Sequence, residues 1–245
     1  MINEPVFVNQ QSFQQAWKES ATYLRDHGWR AHNLVVHFAN PTGFDDNFHD
    51  TFSQFCASHS ILGPKHVAYT VFPHTLYKTR GSVNRLFHAY NRTAGLYERL
   101  RSRPRRGWGT YFRRMTYYET DRGVQNQLKN IIEAINGRPN IYKAAYTVII
   151  QKPGGETIRP LGGPCLNYLA VQMESLTSGA SVGLLATYRN HDFLERAYGN
   201  YWGLCNLTCC LAEETNSQPG PVTCISSHAY VDRKKRPLSS LLDAL

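Results

Sequence analysis

Apolar residues recur along the second half of the chain with two different periods. Val124, Leu128, Ile131, Ile132 and Ile135 stand at i, i+4, i+7, i+8 and i+11, the spacing of one helical face. Asn136-Gly137 supplies a stop signal, with Pro139 just beyond. Strand-like segments follow at Ala144–Gln151, Asn167–Met173 and Val182–Thr187. Tyr201, Leu204, Cys205, Thr208 and Leu211 form a second helical stripe, and Pro219-Gly220-Pro221 is expected to break the chain before a last strand, Val222–Val231. The first sixty residues are mixed: a helical stretch near Gln11 to Arg25, an apolar run Leu34–Phe38 that reads as a strand, and a turn at Asn40-Pro41-Thr42-Gly43. No repeat, low-complexity tract or long linker interrupts the pattern. It predicts a single α+β domain over residues 1–245 with a substantial sheet.

Composition adds little to this picture. A hydrophobic fraction of 42% and a charged fraction of 18% in 245 residues are those of an ordinary globular protein. No apolar run approaches the roughly 18 residues of a membrane span. The opening MINEPVFVNQQSF lacks a basic region followed by an apolar stretch, so a cytoplasmic location without a membrane partner is expected. The six cysteines are scattered without secretory context, which argues against a disulfide framework. Cys205, Cys209 and Cys210 share one predicted helix but lack a paired CxxC or histidine partner, so no metal site is expected.

Charge changes the picture more. The net charge of +9, from 27 Lys+Arg against 18 Asp+Glu, favours phosphate-bearing partners without choosing between nucleotides and nucleic acid. It also suits a solubilising surface. Residues 99–106, RLRSRPRR, are the densest basic run, with Arg113 and Arg114 following. A solvated loop explains this run more readily than nucleic-acid contact. The nearby aromatics Trp108, Tyr111, Phe112, Tyr117 and Tyr118 suit either base stacking or a core.

Candidate chemistry concentrates after residue 160. Cys165 follows Gly162-Gly163-Pro164, a turn able to present a nucleophilic thiol at the start of a strand. The segment Tyr188-Arg189-Asn190-His191-Asp192 is unusually polar for the exit of an apolar strand. Arg189 there suits either a phosphate clamp or a salt bridge with Asp192. Asn200 opens the Tyr201–Leu211 stripe as an N-cap or as an amide that reads a base. In the last strand a period of two puts Cys224, Ser226, His228 and Tyr230 on one face.

Together and in this order, these features resemble the thymidylate synthase and pyrimidine hydroxymethylase family, over about Gly107 to Tyr230 with its core at Pro164–Tyr230. The resemblance rests on the Pro164-Cys165 pair, the Arg-x-x-Asp motif Arg189-Asn190-His191-Asp192, Asn200 eleven residues past that arginine (200 − 189 = 11), and His228-Ala229-Tyr230. It implies a large mixed sheet flanked by helices, sheets packed back to back in a homodimer, and a pyrimidine nucleoside monophosphate as substrate. It also implies covalent attack of Cys165 on C6 and 5,10-methylenetetrahydrofolate as one-carbon donor. Arg189 and Asn190 would then bind nucleotide, Asn200 would read the base, and His228 and Tyr230 would hold the sugar. Asp192 would contact the pterin, and Lys143 would reach the neighbouring subunit's phosphate.

Asn at position 200 matches family members that act on uracil, whereas the Arg-Asn-x-Asp form and Asn167 look closer to hydroxymethylases. A uracil nucleotide is therefore expected, with methyl or hydroxymethyl transfer left open. The chain also departs from the family. Asn84-Arg85-Leu86-Phe87-His88 replaces a stretch carrying a proton-managing glutamate, for which Glu98 and Glu119 are the substitutes at hand. Lys143 stands where an arginine pair is usual, Leu166 where histidine is usual, and Arg196 where glycine is usual. Asn40-Pro41-Thr42-Gly43 lacks the arginine of the phosphate loop, and 15 residues after Tyr230 (245 − 230 = 15) leave no long closing tail. A homologue that binds a nucleotide but has a changed or lost folate reaction is the alternative.

Overall fold

The structure is a computed structural model that describes residues 4–100, 108–137, 145–152, 163–177 and 179–245, with side chains 97–100 excepted. The first half runs β1 (Val6–Gln10), α1 (Phe13–Asp26), β2 (Arg30–Phe38), α2 (Asp46–Ser58), α3 (Pro64–Val71), α4 (His74–Arg80), α5 (Val83–Leu100) and α6 (Tyr111–Thr116). There follow β3 (Tyr118–Thr120), β4 (Gly123–Gln125), α7 (Gln127–Asn136), β5 (Tyr146–Ile149), β6 (Leu166–Leu176), β7 (Gly179–Tyr188) and β8 (His191–Asp192). A π-helical turn (Phe193–Ala197) leads into α8 (Tyr198–Glu214), β9 (Gln218–Tyr230) and α9 (Lys235–Ala244).

The expected α+β class is observed: a seven-stranded mixed sheet in the order β1-β2-β9-β7-β6-β5, with β8 beside β9, flanked by helices. Ser12 starts α1 by accepting a hydrogen bond from the Gln15 N–H. The apolar face of α1, with Trp17 and Leu24 fully buried, packs on β1 and β2. The Trp17 Nε1–H donates to the Phe193 carbonyl at 2.8 Å and ties α1 to the π-helical turn. Among the described residues no helix is long and apolar enough to cross a membrane.

Helix α8 lies closely against α3 because of two glycines. A Cβ on Gly199 would stand 2.5 Å from Val67 Cβ, and one on Gly203 would stand 2.6 Å from Val71 Cβ and 2.8 Å from the Ala68 carbonyl oxygen. Gly-x-x-x-Gly on one helix therefore meets Val-x-x-x-Val on the other.

Three expected boundaries shift. Val124 lies in β4, 47% exposed, rather than on α7, because Asn126 caps α7 through the Lys129 N–H. Asn200 does not cap α8, which begins at Tyr198 and continues directly from the π-helical turn. Pro219-Gly220-Pro221 does not break the chain, since β9 runs through it. Over those residues β9 pairs only with β7, β2 having ended at Phe38↔Val222, so the missing proline donors cost no ladder bond on the free side. The β7–β9 register shifts between Val182 and Leu184 to fit them.

One face of the sheet packs on α1 and α8 through Leu34, Val36, Leu184, Ala186, Val222 and Cys224, all 0% exposed. The other face carries a continuous row of register partners, Phe7↔Val35, Val35↔Ile225, Ile225↔Thr187, Thr187↔Tyr168 and Tyr168↔Ile149. Its ends, Phe7 and Ile149, are 74% and 39% exposed, and its middle is half-buried.

The close α3–α8 approach gives a direct test. Gly203→Ala is expected to destabilise the fold by about 1–3 kcal/mol through overpacking, read as a lower denaturant midpoint. Gly95→Ala, in α5 with open space around the added methyl, is expected to leave stability equal or slightly raised.

Candidate functional site

The sheet's alternation of buried and exposed residues reverses along one line that crosses four strands. In β2, Leu34, Val36 and Phe38 are buried, but so is Ala31, and the phase changes at Asn33, whose φ is +54°. In β9 the buried series Val222, Cys224, Ser226 passes to Ala229 and Val231. From β7 to β8 it passes from Tyr188 to His191, across Arg189-Asn190. In β6 the register shifts between Leu166 and Tyr168. These breaks lie side by side, since Leu34 and Tyr188 both pair with Ser226, while Ala31 and His191 both pair with Ala229.

The break corrects one expectation. Cys224 and Ser226 point into the core at 0% exposure, whereas His228 and Tyr230 are half-buried and directed away from Ala229, also 0% exposed. A strand that reverses phase presents its next polar residues on the opposite side.

Arg189, Asn190, His228, Tyr230, Asp192 and Cys165 gather along this line. The Arg189 N–H donates to the Cys165 carbonyl at 2.9 Å, and its Nε–H donates to the Pro164 carbonyl at 3.1 Å, so Arg189 grips the turn that presents the thiol. His228 Nδ1 lies 2.8 Å from Asn190 Oδ1, and its ring stacks on Tyr230 at 5.3 Å and 11°. Tyr230 is in register with Asp192. Asp192 Oδ1 accepts from the Leu194 and Glu195 N–H groups at 3.0 and 2.9 Å and so caps the π-helical turn.

Burial pushes the Cys165 thiol above its ordinary value; Arg189 and Arg196 pull it back, and Asp192 adds to the rise. Burial likewise raises the Asp192 carboxyl, against the backbone donors that cap it. Tyr230 is raised by burial and then by the negative charges of Asp192, Asp232 and Cys165, with Asn190 opposing. His228 is lowered by burial and by its neighbours His32 and Arg30, with Asp232 opposing. Cys165 and Tyr230 both sense the charge of Asp192, and Tyr230 also senses that of Cys165, whereas His228 responds to a different set of neighbours.

Asn200 lies deeper than the rest. At 2% exposure, its Nδ2 donates to His191 Nε2 at 3.1 Å, and His191 Nδ1 meets Ser226 Oγ at 2.9 Å. An amide nitrogen can only donate, so His191 Nε2 accepts and Nδ1 carries the proton. Burial pushes the His191 pKa down to about 3, which keeps the ring neutral, and it stacks on Tyr188 at 4.1 Å. Asn200 Oδ1 is buried and has no hydrogen-bond partner among the described residues. In the Arg-x-x-Asp motif His191 occupies a spacer position, yet the structure makes it the centre of this buried polar chain. Its signal was a titratable ring flanked by polar residues where an apolar strand ends.

Tyr111, at the start of α6, was read only as an aromatic of the basic region. It is 8% exposed, and burial raises its hydroxyl pKa, with the charge of Cys165 adding to the rise and the Leu166 and Cys165 backbone opposing it. Lys143 and the 99–106 run lie outside the described residues, as does the side chain of Glu98. Glu119 pairs with Lys152 at 2.7 Å, which holds its carboxyl below the usual range. In α5, Leu86 and Phe87 are core while Asn84, Arg85 and His88 are exposed. Asp192 is the carboxylate that acts on Cys165 electrostatically. Among the described residues no group of three or more His, Cys, Asp and Glu side chains could hold a metal ion.

No protein-family model matches the chain, and no curated protein matches it.

The opposed forces on Cys165 predict its reactivity. Alkylation by iodoacetamide, followed at Cys165 by peptide mass spectrometry, should have a midpoint pH above that of an ordinary thiol. Arg189→Met should move it further up and slow labelling at pH 8 several-fold, because the thiolate is the reactive form. An unchanged or faster rate would contradict the electrostatic account.

Proposed function

We propose that the chain is a transferase that adds a one-carbon unit, hydroxymethyl or methyl, to C5 of a pyrimidine nucleoside monophosphate, with uracil as the favoured base. The observation that carries this reading is the gathering of Cys165, Arg189, Asn190, Asp192, His228 and Tyr230 along one break in the sheet. Arg189 offers its planar cation to the phosphate, and the stacked His228–Tyr230 pair offers hydrogen-bonding groups to the sugar. The unpaired Asn200 Oδ1 is an acceptor suited to the uracil N3–H once the side chains above it move.

Covalent catalysis follows from these groups. The Cys165 sulfur bonds to C6, the C5=C6 electron pair shifts toward C4–O4 as an enolate, and the thiol proton passes to Asp192. Burial makes that carboxylate a better proton acceptor than an exposed one. C5 then bonds to the one-carbon unit and releases its hydrogen as a proton, the transferred carbon parts from its carrier, and the Cys165 sulfur leaves C6 to restore the C5=C6 bond. Water would complete a hydroxymethyl product, and a hydride from the reduced carrier a methyl product.

Methylenetetrahydrofolate, when bound, supplies the one-carbon unit. Asp192 fits as a holder of the pterin, because Oδ1 serves the helix cap and Oδ2 has no hydrogen bond among the described residues. Arg196 adds a cation beside the thiol.

The open face of the sheet supports a homodimer with sheets back to back. Its row from Phe7 to Ile149 spans six strands with apolar or β-branched side chains and Tyr168. A face of that kind is stabilised by burial against a second copy. The raised Cys165 thiol favours a second reading, a homologue that binds the nucleotide but has a changed or lost folate reaction.

Tritium release from 5-tritiated uridylates, dependent on methylenetetrahydrofolate and absent in Cys165→Ser, is the expected result. No release from any uridine or cytidine mono- or deoxymononucleotide would overturn the transferase. Calorimetric nucleotide binding indifferent to folate would then establish the second reading. Light scattering should report a dimer that Ile225→Glu converts to monomer.

A further inference from the structure

A pocket lies among α2, α3, α4 and α8, away from the sheet break. It has a volume of about 360 Å³, within the usual range for small-molecule sites. Helix α8 separates it from the first site. Asn200 meets His191 on the sheet side, while Trp202, two residues and about 200° further round, lines this pocket together with Asn206 at i+4.

Three rings form one wall: Trp202 stands 5.5 Å from Phe44 and 4.7 Å from His49, and Phe44 stands 5.1 Å from His49. Phe44 is 41% exposed, so part of its ring is open to a ligand in the pocket. His49 Nδ1 is engaged with the Tyr198 hydroxyl at 3.2 Å, and burial lowers its pKa, so the ring is a neutral polar edge.

The polar groups are set for an anion. Lys65 lines the pocket without an ion pair among the described residues, and no Asp or Glu lines it. The Asn206 amide also lines it and has no hydrogen bond among the described residues. His74 adds a ring whose buried Nδ1 has no hydrogen-bond partner among the described residues. A stacking wall with one cation and a free amide is complementary to a flat ring bearing a negative group.

We propose that this pocket binds a small planar aromatic anion, its ring against Trp202 and Phe44 and its charge on Lys65. The site is independent of the nucleotide reading, because it shares no side chain with it.

Calorimetry with indole-3-carboxylate tests it. Saturable binding is expected, with indole-3-carboxamide roughly fivefold weaker, the worth of one exposed ion pair. Cyclohexanecarboxylate should bind more weakly than either. Lys65→Met should erase the preference for carboxylate over carboxamide, Trp202→Leu should weaken both, and Cys165→Ser should change neither. No saturation at millimolar ligand, equal affinity for acid and amide, or indifference to both pocket variants would overturn the proposal. So would absent binding together with a change of oligomeric state in Trp202→Leu, which would assign the pocket to a second copy of the chain.

Discussion

A β-strand has a single alternation, and one residue out of phase transfers everything beyond it to the other side. In an isolated strand such a fault would put polar groups into the core. Here it runs through β6, β7–β8, β9 and β2 at neighbouring positions, so the four strands reverse together and the core stays closed. Leu34, Tyr188 and Ser226 face inward on one side of the line, Ala31, His191 and Ala229 on the other. Asn33 absorbs the reversal at φ +54°, a conformation that asparagine tolerates better than most side chains. The polar side chains released at the line are those of the candidate site.

Behind the line the fold accepts a buried polar chain, Ser226–His191–Asn200, in place of apolar packing. Each hydrogen bond offsets the desolvation of its donors, and the neutral His191 ring avoids burying a charge. Asn200 Oδ1 remains unpaired, which costs about 1–3 kcal/mol by the usual measure. That cost is borne within a few ångströms of the π-helical turn, itself a rare geometry that concentrates at functional positions. A π-helical turn followed within three residues by an orphan acceptor supports the proposed base-reading role of Asn200.

Much of this was legible in the residues. Helical and strand periods located α1, α7, α8, β2, β6 and β7, and the polar exit of β7 pointed to Arg189, Asn190 and Asp192. The break itself was not legible, because the segment Val222–Tyr230 reads as one unbroken alternation and only its neighbours' registers reveal the reversal. Asn200 looked like a cap because helix propensity does not register a π-helical turn that delivers the chain already wound. The prolines of β9 looked like a break because sequence does not say which side of a strand lacks a partner. The pocket beside Trp202 was out of reach for a different reason. Its walls come from four helices, and Gly199 and Gly203 set their approach through contacts with Val67 and Val71 far away in sequence.

The electrostatics around Cys165 impose an order on any chemistry there. Arg189 and Arg196 are the cations that favour the thiolate, yet Arg189 is also the group best shaped for a phosphate. A phosphate on Arg189 would neutralise part of the charge that lowers the thiol pKa, so nucleotide binding alone would make ionisation harder. The proton must then leave for a group that gains affinity in the same closed environment. Asp192 is such a group, since exclusion of water raises a carboxyl pKa as it raises a thiol's. Both shifts have the same cause, so the difference between the two affinities, which sets the cost of a transfer, changes less than either one. In the proposed reaction, ionisation of Cys165 would therefore be a transfer to Asp192, the carboxylate whose charge opposes a free thiolate there.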